Sequence, residues 1–335
     1  MEKPATSSFR GLSPHLFGRA ALAGLVLFAT ISALFAALIA FGTSAPPPPL
    51  ASILEPAIAQ ARAQQGALPP LLQFTTRDGS KLAFRRYAGR EDAALILIHG
   101  STGSAEGMHA MAQVLNTGGG PTIYALDMRG HGQSGRLGDI DFIGQMEQDL
   151  ADLLQILPPQ AKLGLIGFSA GGGFALRVAG SELGQRFERI LLLAPMLHPQ
   201  SPTYRQNGGG WATAHLPRLI ALAVLDNAGL PFFQHLPVLA FARQDSAGRP
   251  YTYSFRLWAN FKAHEDYTAD YRRQARAPIV LIGEKDELFN AAAYEPELKT
   301  IRPDAQVRIV PGVNHIGLSL SPAGIAAIQA ELRDF

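Results

Sequence analysis

The sequence predicts an α/β fold, a mostly parallel sheet with helices on both faces. Three observations carry this. Short apolar runs, "ALILIHG" (94–100), "KLGLIGF" (162–168), "RILLLAP" (189–195) and "PIVLIGE" (278–284), have the length and unbroken hydrophobicity of strands buried on both sides. Stretches of helical periodicity stand between them, such as "IGQMEQDLADLLQIL" (143–157), which ends at Pro158-Pro159. The two patterns alternate, as they do in β-α-β units.

The other elements follow in chain order. "LLQFTT" and "KLAFRRYA" flank "RDGS" and read as an opening hairpin, because Asp78-Gly79 is a strong turn signal. A helix is expected near Ala105 to Leu115, then the strand "TIYALDM". A helix should follow Ser169. "AQVRIVPG" is the last strand, and the last helix runs from about Pro322 to Leu332. The 80-odd residues between Pro195 and Pro278 lack a clear buried strand and show several helical patches, so they read as an inserted helical cap over 196–275.

The 335 residues are enough for a large core, and 47% of them are hydrophobic. A net charge of +2 and the lack of a basic block with interleaved aromatics argue against a nucleic-acid partner. With no cysteine in the chain, disulfides, thiolate metal sites and cysteine nucleophiles are excluded.

From Ala20 to Phe41 no charge interrupts the apolar run, about the length that crosses a bilayer as a helix. Lys3, Arg10 and Arg19 precede it, so the positive-inside rule puts the N-terminus in the cytoplasm. The expected organisation is a cytoplasmic tail over 1–19, a signal anchor over 20–42, a Pro-rich linker and stalk over 43–67, and a globular domain over 68–335. That domain would be extracytoplasmic, in a periplasm. The alternative, secretion after signal-peptide cleavage, fits less well: the run exceeds the usual apolar region of a signal peptide, and "TSA" is followed by Pro46.

The chemistry centres on "LIGFSAGGG". A phosphate-binding loop needs a lysine that is absent, and a dinucleotide fingerprint needs glycine where Ser169 stands. Gly167-Phe168-Ser169-Ala170-Gly171 instead fits G-x-S-x-G between a strand and a helix, a turn that exposes a serine hydroxyl. Such a serine needs a base, usually a histidine oriented by a carboxylate. His315, in "PGVNHIG", follows the last strand, and Asp286, in "GEKDELF", follows the preceding one. The order Ser169, Asp286, His315 and their placement at strand ends suit a catalytic triad. Glu284 and Glu287 are near enough in sequence to replace Asp286. The oxyanion donors should be the backbone N–H groups of Ala170 and of Ser101 in "HGSTG". His99 reads as a structural histidine that holds this loop.

With "HGSTG", "DMRGHGQS" (127–134), "GFSAGG", "GEKDELF" and "VNHIG", the chain from about Leu71 onward resembles the α/β-hydrolase family. Its nearest likeness is to the lysophospholipase and monoacylglycerol lipase-like branch. The resemblance implies an eight-stranded α/β-hydrolase sheet with a helical cap, structural roles for Arg129 and His131, and hydrolysis through an acyl-enzyme with no metal or organic cofactor. The expected substrate is a small lipophilic carboxylic ester, and the expected partner is a membrane engaged by the N-terminal helix. Prolyl-aminopeptidase-like cleavage and acyl transfer are the alternatives on the same fold, and a non-catalytic binding protein is the remaining one. An amine-binding acidic cluster would favour the peptidase; "HED" (264–266) is the one candidate. The apolar cap run Leu216–Ala242 reads either as an acyl-binding or lipid-dipping surface or as simple packing on the sheet, and "NGGG" (207–210) as a candidate hinge.

Overall fold

The apolar runs form the centre of one sheet because each has nowhere else to bury both of its faces. The computed structural model describes residues 14–41, 47, 66–159, 161–205, 210–244, 248–274 and 276–335. The tail, linker and stalk expected over 1–19 and 43–67 lie largely outside these residues, as does most of the hinge candidate at 207–210.

The hairpin is formed by β1 (Leu71–Thr75) and β2 (Lys81–Tyr87), antiparallel with Phe74 opposite Leu82. Then come β3 (Arg90–Ile98), β4 (Pro121–Leu126), β5 (Lys162–Phe168), β6 (Arg189–Leu193), β10 (Ile279–Gly283) and β11 (Gln306–Val310). The sheet order is β1-β2-β4-β3-β5-β6-β10-β11. From β4 to β11 every neighbouring pair is parallel. β2 meets β4 antiparallel. The predicted eight-stranded, mostly parallel sheet is therefore present. Leu95 to Ile98, Leu165, Ile166, Leu191 to Leu193 and Val280 to Ile282 are all buried, as strands covered on both faces require.

The helices between the strands are α2 (His109–Asn116), α3 (Gln145–Gln155), α4 (Ala170–Ala179), α8 (Ala291–Ile301), α9 (Gly317–Leu320) and α10 (Pro322–Ala330). The last of these starts at a sequence-legible cap: Ser321 accepts the Gly324 N–H, and Pro322 fills the first turn. Ala105 to Met108, expected as helix, form a tighter 3-10 turn before α2.

The insertion differs from the expected helical cap. It holds β7 (Ala212–Ala214), β8 (Pro237–Gln244) and β9 (Pro250–Ser254) in an antiparallel sheet, with α5 (Leu216–Asn227), α6 (Phe255–Asn260) and α7 (Tyr267–Arg273). The long apolar run of 216–242 is broken at Gly229, with φ +72°, and at Pro231. Its first part is helical and its last part is β8. The break escaped the sequence reading because a short apolar run suits helix and strand equally.

The chain divides into two units. One comprises 1–43 and 215–232, the other 44–214 and 233–335. In the first unit α1 (Pro14–Ala40) packs with α5. Arg218 Nε donates to the Ile39 carbonyl at 2.8 Å, and His215 Nε2 donates to the Phe41 carbonyl at 3.1 Å. His215 Nδ1 accepts the Arg218 N–H at 3.1 Å, so one neutral imidazole caps α5 and also satisfies a carbonyl at the end of α1. Within α1, Leu22–Ala40 is long and apolar enough to cross a membrane, one such helix among the described residues.

Candidate active site

The turn after β5 is built by steric exclusion. Ser169 has φ 56° and ψ −118°, a conformation that costs a non-glycine residue about 1–3 kcal/mol. The strain is held in place from both sides. The Ser169 N–H donates to the Leu193 carbonyl at 2.8 Å, and the Ser169 carbonyl accepts from Gly173 and Met196 at 3.0 and 3.1 Å. A Cβ on Gly167 would meet the Gly171 carbonyl oxygen at 2.1 Å, and one on Gly171 would meet the His99 carbonyl oxygen at 2.2 Å. These two glycines are thus required by backbone approach. Glycine in a helix costs about 0.5–1 kcal/mol against alanine, and α4 accepts that cost in its first turn.

His315 and Asp286 leave the carboxyl ends of β11 and β10, as expected. His315 Nδ1 donates to Asp286 Oδ2 at 2.7 Å, with both side chains about 1% exposed or less. Asp286 Oδ1 accepts the N–H groups of Leu288 and Phe289 at 2.9 and 2.8 Å. The carboxylate is therefore fixed by three donors. The two rival carboxylates are occupied elsewhere: Glu287 accepts the backbone N–H of His315 at 3.0 Å, and Glu284 accepts that of Gly312 at 2.8 Å. The His315 ring packs against Phe168 (4.9 Å between centroids), Phe289 (5.4 Å) and, edge-on, Trp211 (5.8 Å). The contact with Phe168 brings the imidazole beside the residue that precedes Ser169. Among the described residues no hydrogen bond joins the Ser169 hydroxyl to His315, a bond that often tightens only when substrate is bound.

The loop after β3 lies against the serine, for a Cβ on Gly100 would stand 3.0 Å from Ser169 Cβ. Gly100 to Gly103 form a turn closed by the Gly103 N–H on the Gly100 carbonyl at 3.0 Å. The Ser101 N–H donates no hydrogen bond among the described residues, and Ala170 opens α4, where N–H groups lack helical partners.

His99 has the structural role expected for it. Its Nδ1 donates to the Gly100 carbonyl at 2.7 Å, and its Nε2 accepts the Met128 N–H at 3.2 Å. Arg129 forms a two-pronged pair with buried Asp149, at 2.8 and 2.7 Å, and reaches Asp78 at 3.0 Å. It braces the turn without reaching the site. His131 lies 4.8 Å from His99 between ring centroids, and its Nδ1 donates to the Arg129 carbonyl at 3.1 Å.

Burial pushes His99 down to about 4, and burial together with His99 pushes His131 far below its ordinary value. Both are neutral when folded, whereas the unfolded histidines titrate near 6.5. The unfolded state therefore binds more protons below that value. Stability is at its full level above about pH 6.5 and falls as the pH drops toward about 4. Urea titrations across this range should show the loss, and His99→Gln should flatten the slope. A wild-type stability independent of pH between 6.5 and 4 would contradict it.

Three side chains near the site escaped the sequence reading: Trp211, Arg243 and Tyr253. All come from the insertion, in strands or turns without a motif, and nothing local marks them. A cavity of about 1010 Å³ opens at the amino ends of β6, β10 and β11, at the other end of the sheet from Ser169. It carries none of this chemistry.

A family model described as serine aminopeptidase, S33, matches residues 89–318. The chain belongs to that α/β-hydrolase family. It is a serine hydrolase. A search of curated protein sequences returns no match. Solved structures share its fold. A soluble variant of monoglyceride lipase from Saccharomyces cerevisiae is 16% identical with a TM-score of 0.61, over 81% of this chain and 94% of that one. A putative aryl esterase from Burkholderia cenocepacia is 18% identical with a TM-score of 0.56, over 79% and 97%. E-2-(acetamidomethylene)succinate hydrolase is 21% identical with a TM-score of 0.53, over 78% and 99%.

Proposed function

We propose that this hydrolase cleaves lipophilic carboxylic esters through Ser169, His315 and Asp286. The observation that carries the reading is a strained serine at the end of β5 together with a buried histidine–aspartate pair whose imidazole packs on Phe168, the residue before that serine. Ser169 Oγ attacks the ester carbonyl as His315 Nε2 takes its proton. Asp286 orients the imidazole and stabilises its charged form. The N–H groups of Ser101 and Ala170 hold the oxyanion. The tetrahedral intermediate collapses to an acyl-enzyme as His315 returns the proton to the leaving alcohol. Water, deprotonated by His315, then attacks the acyl-enzyme, and as the second tetrahedral intermediate collapses His315 returns the proton to Ser169 Oγ and the acid is released.

A peptidase acting on an amine terminus is less well supported, because the acidic residues of "HED" are engaged. Glu265 pairs with Lys262 and His198, Asp266 caps α7 by accepting the Ala269 N–H, and Asp270 holds His264. The test is turnover of p-nitrophenyl esters of rising chain length beside a proline arylamide and a lysophospholipid. Ser169-dependent turnover that rises with chain length is expected; arylamide cleavage without ester turnover would overturn the reading.

The same reading places α1 in a membrane as an uncleaved anchor, with the hydrolase domain outside the cytoplasm. Leu22, Leu25, Val26 and Phe28 of α1 are exposed, and so are Leu216, Ile220 and Val224, which line one face of α5 at four-residue spacing. Arg218 and His215 close the carboxyl end of α1, where a basic group suits the helix dipole. The full chain should stay in the membrane pellet after alkaline carbonate extraction, and its release would refute the anchor.

A further inference from the structure

The inserted sheet grips the loop that would hold the oxyanion. Thr102 is the third residue of the turn Gly100 to Gly103 and has φ 56°. That position favours glycine, and a β-branched residue there is a genuine outlier. Its peptide groups are seized from two strands of the insertion. Tyr253, on β9, accepts the Thr102 N–H through its hydroxyl at 2.7 Å. Arg243, on β8, donates from Nη1 to the Thr102 carbonyl at 2.6 Å. These partners are 151 and 141 residues away in sequence.

The direction of each proton can be read from its partners. His131 Nδ1 must donate to the Arg129 carbonyl, so its Nε2 is an acceptor. Tyr253 therefore donates its hydroxyl proton to His131 Nε2, which leaves the phenol oxygen to accept from Thr102. The Ser101 side chain also interacts with this phenol, and the buried Tyr253 ring is wedged between His131 and Phe241 at centroid distances of 5.2 and 4.6 Å. A phenol so held cannot rotate away without leaving two buried polar atoms unpaired.

We infer that Tyr253 and Arg243 are positioning residues: by clamping both peptide groups of Thr102 they hold the strained turn that presents the Ser101 N–H to the oxyanion. The Tyr253 bond fixes the peptide between Ser101 and Thr102, and the Arg243 bond fixes the next one. With both planes set, Thr102 cannot relax to negative φ, and the Ser101 N–H stays free of internal partners and ready for the ester oxygen. The insertion thus acts on the rate of the chemical step. The inference rests on the ester-hydrolase reading for its consequence, and on the turn geometry alone for the clamp.

The test uses the full-length chain and its Tyr253→Phe and Arg243→Gln variants, with active sites counted by a fluorophosphonate. For p-nitrophenyl butyrate, Tyr253→Phe should lower kcat about tenfold to a hundredfold, part of the loss seen when an oxyanion donor is removed outright. KM should remain within about twofold, because the ground-state carbonyl makes little use of the hole. Inhibition by benzeneboronic acid, which forms a tetrahedral adduct on Ser169, should weaken by the same factor as kcat. Arg243→Gln should shift all three readouts in the same direction by less. Hydrogen exchange at the amides of 101–103 should quicken in both variants. A role confined to stability would lower the number of active sites and leave kcat per site and the boronate affinity unchanged; that result overturns the inference. If Tyr253→Phe does not fold, Arg243→Gln decides. If the wild type turns over no ester, the ester reading fails, and exchange at 101–103 still decides the clamp: unchanged rates reject it.

Discussion

Ser169→Ala should remove ester turnover by at least about 10⁴-fold in kcat and leave the fold in place. The size follows from the unit behaviour of a nucleophile, base and orienting acid: loss of the nucleophile alone forfeits nearly all that the group contributes. The fold should survive because alanine deletes one oxygen that has no hydrogen-bond partner among the described residues. The backbone bonds that hold the turn, from the Ser169 N–H to Leu193 and from Gly173 and Met196 to its carbonyl, do not involve the hydroxyl. Circular dichroism and thermal melting should therefore match the wild type while the p-nitrophenyl ester assay falls to background. A folded alanine variant with wild-type turnover would remove Ser169 from the mechanism.

Asp286→Asn should lower kcat by about 10⁴-fold while KM changes little. The carboxylate accepts the His315 Nδ1–H at 2.7 Å and the N–H groups of Leu288 and Phe289. An asparagine can keep only part of this. Its oxygen can stay on the two backbone donors, and then its NH₂ faces His315 and selects the tautomer with a proton on Nε2, the atom that must accept from Ser169. Glu284→Gln and Glu287→Gln are the controls. Each carboxylate accepts a backbone N–H, and the amide oxygen of glutamine can do the same, so kcat should stay close to wild type. A larger loss from Glu287→Gln than from Asp286→Asn would move the acid to Glu287.

Much of this site is legible in the linear sequence because the constraints are local. G-x-S-x-G declares itself through the carbonyl oxygens that leave no room for a Cβ at Gly167 or Gly171. Asp286 and His315 could be found because parallel strands deliver their following loops to one end of a sheet. The sequence favoured Asp286 by its place after the strand, but it could not exclude Glu284 or Glu287. Three carboxylates within four residues are told apart by the donors they meet: Gly312 for Glu284, the His315 N–H for Glu287, and for Asp286 the His315 ring together with the N–H groups of Leu288 and Phe289. The insertion looks helical in the linear sequence for a related reason. "PVLAFARQ" is apolar enough for either element, and its pairing with "PYTYS" makes it a strand.

By itself, then, the sequence determined the eight-stranded α/β architecture, the G-x-S-x-G turn at Ser169, the chain order of Asp286 and His315 behind it, and an N-terminal helix apolar enough for a bilayer. Each of these rests on periodicity or on steric limits within a few residues. The tertiary structure alone decided that Asp286 is the carboxylate on His315, that 215–232 groups with α1, and that Tyr253 and Arg243 grip Thr102. These are hydrogen bonds and packings between residues far apart in the chain. Their partners are set by how the sheet and the insertion fold in space, and no local pattern of hydrophobicity or residue type encodes that.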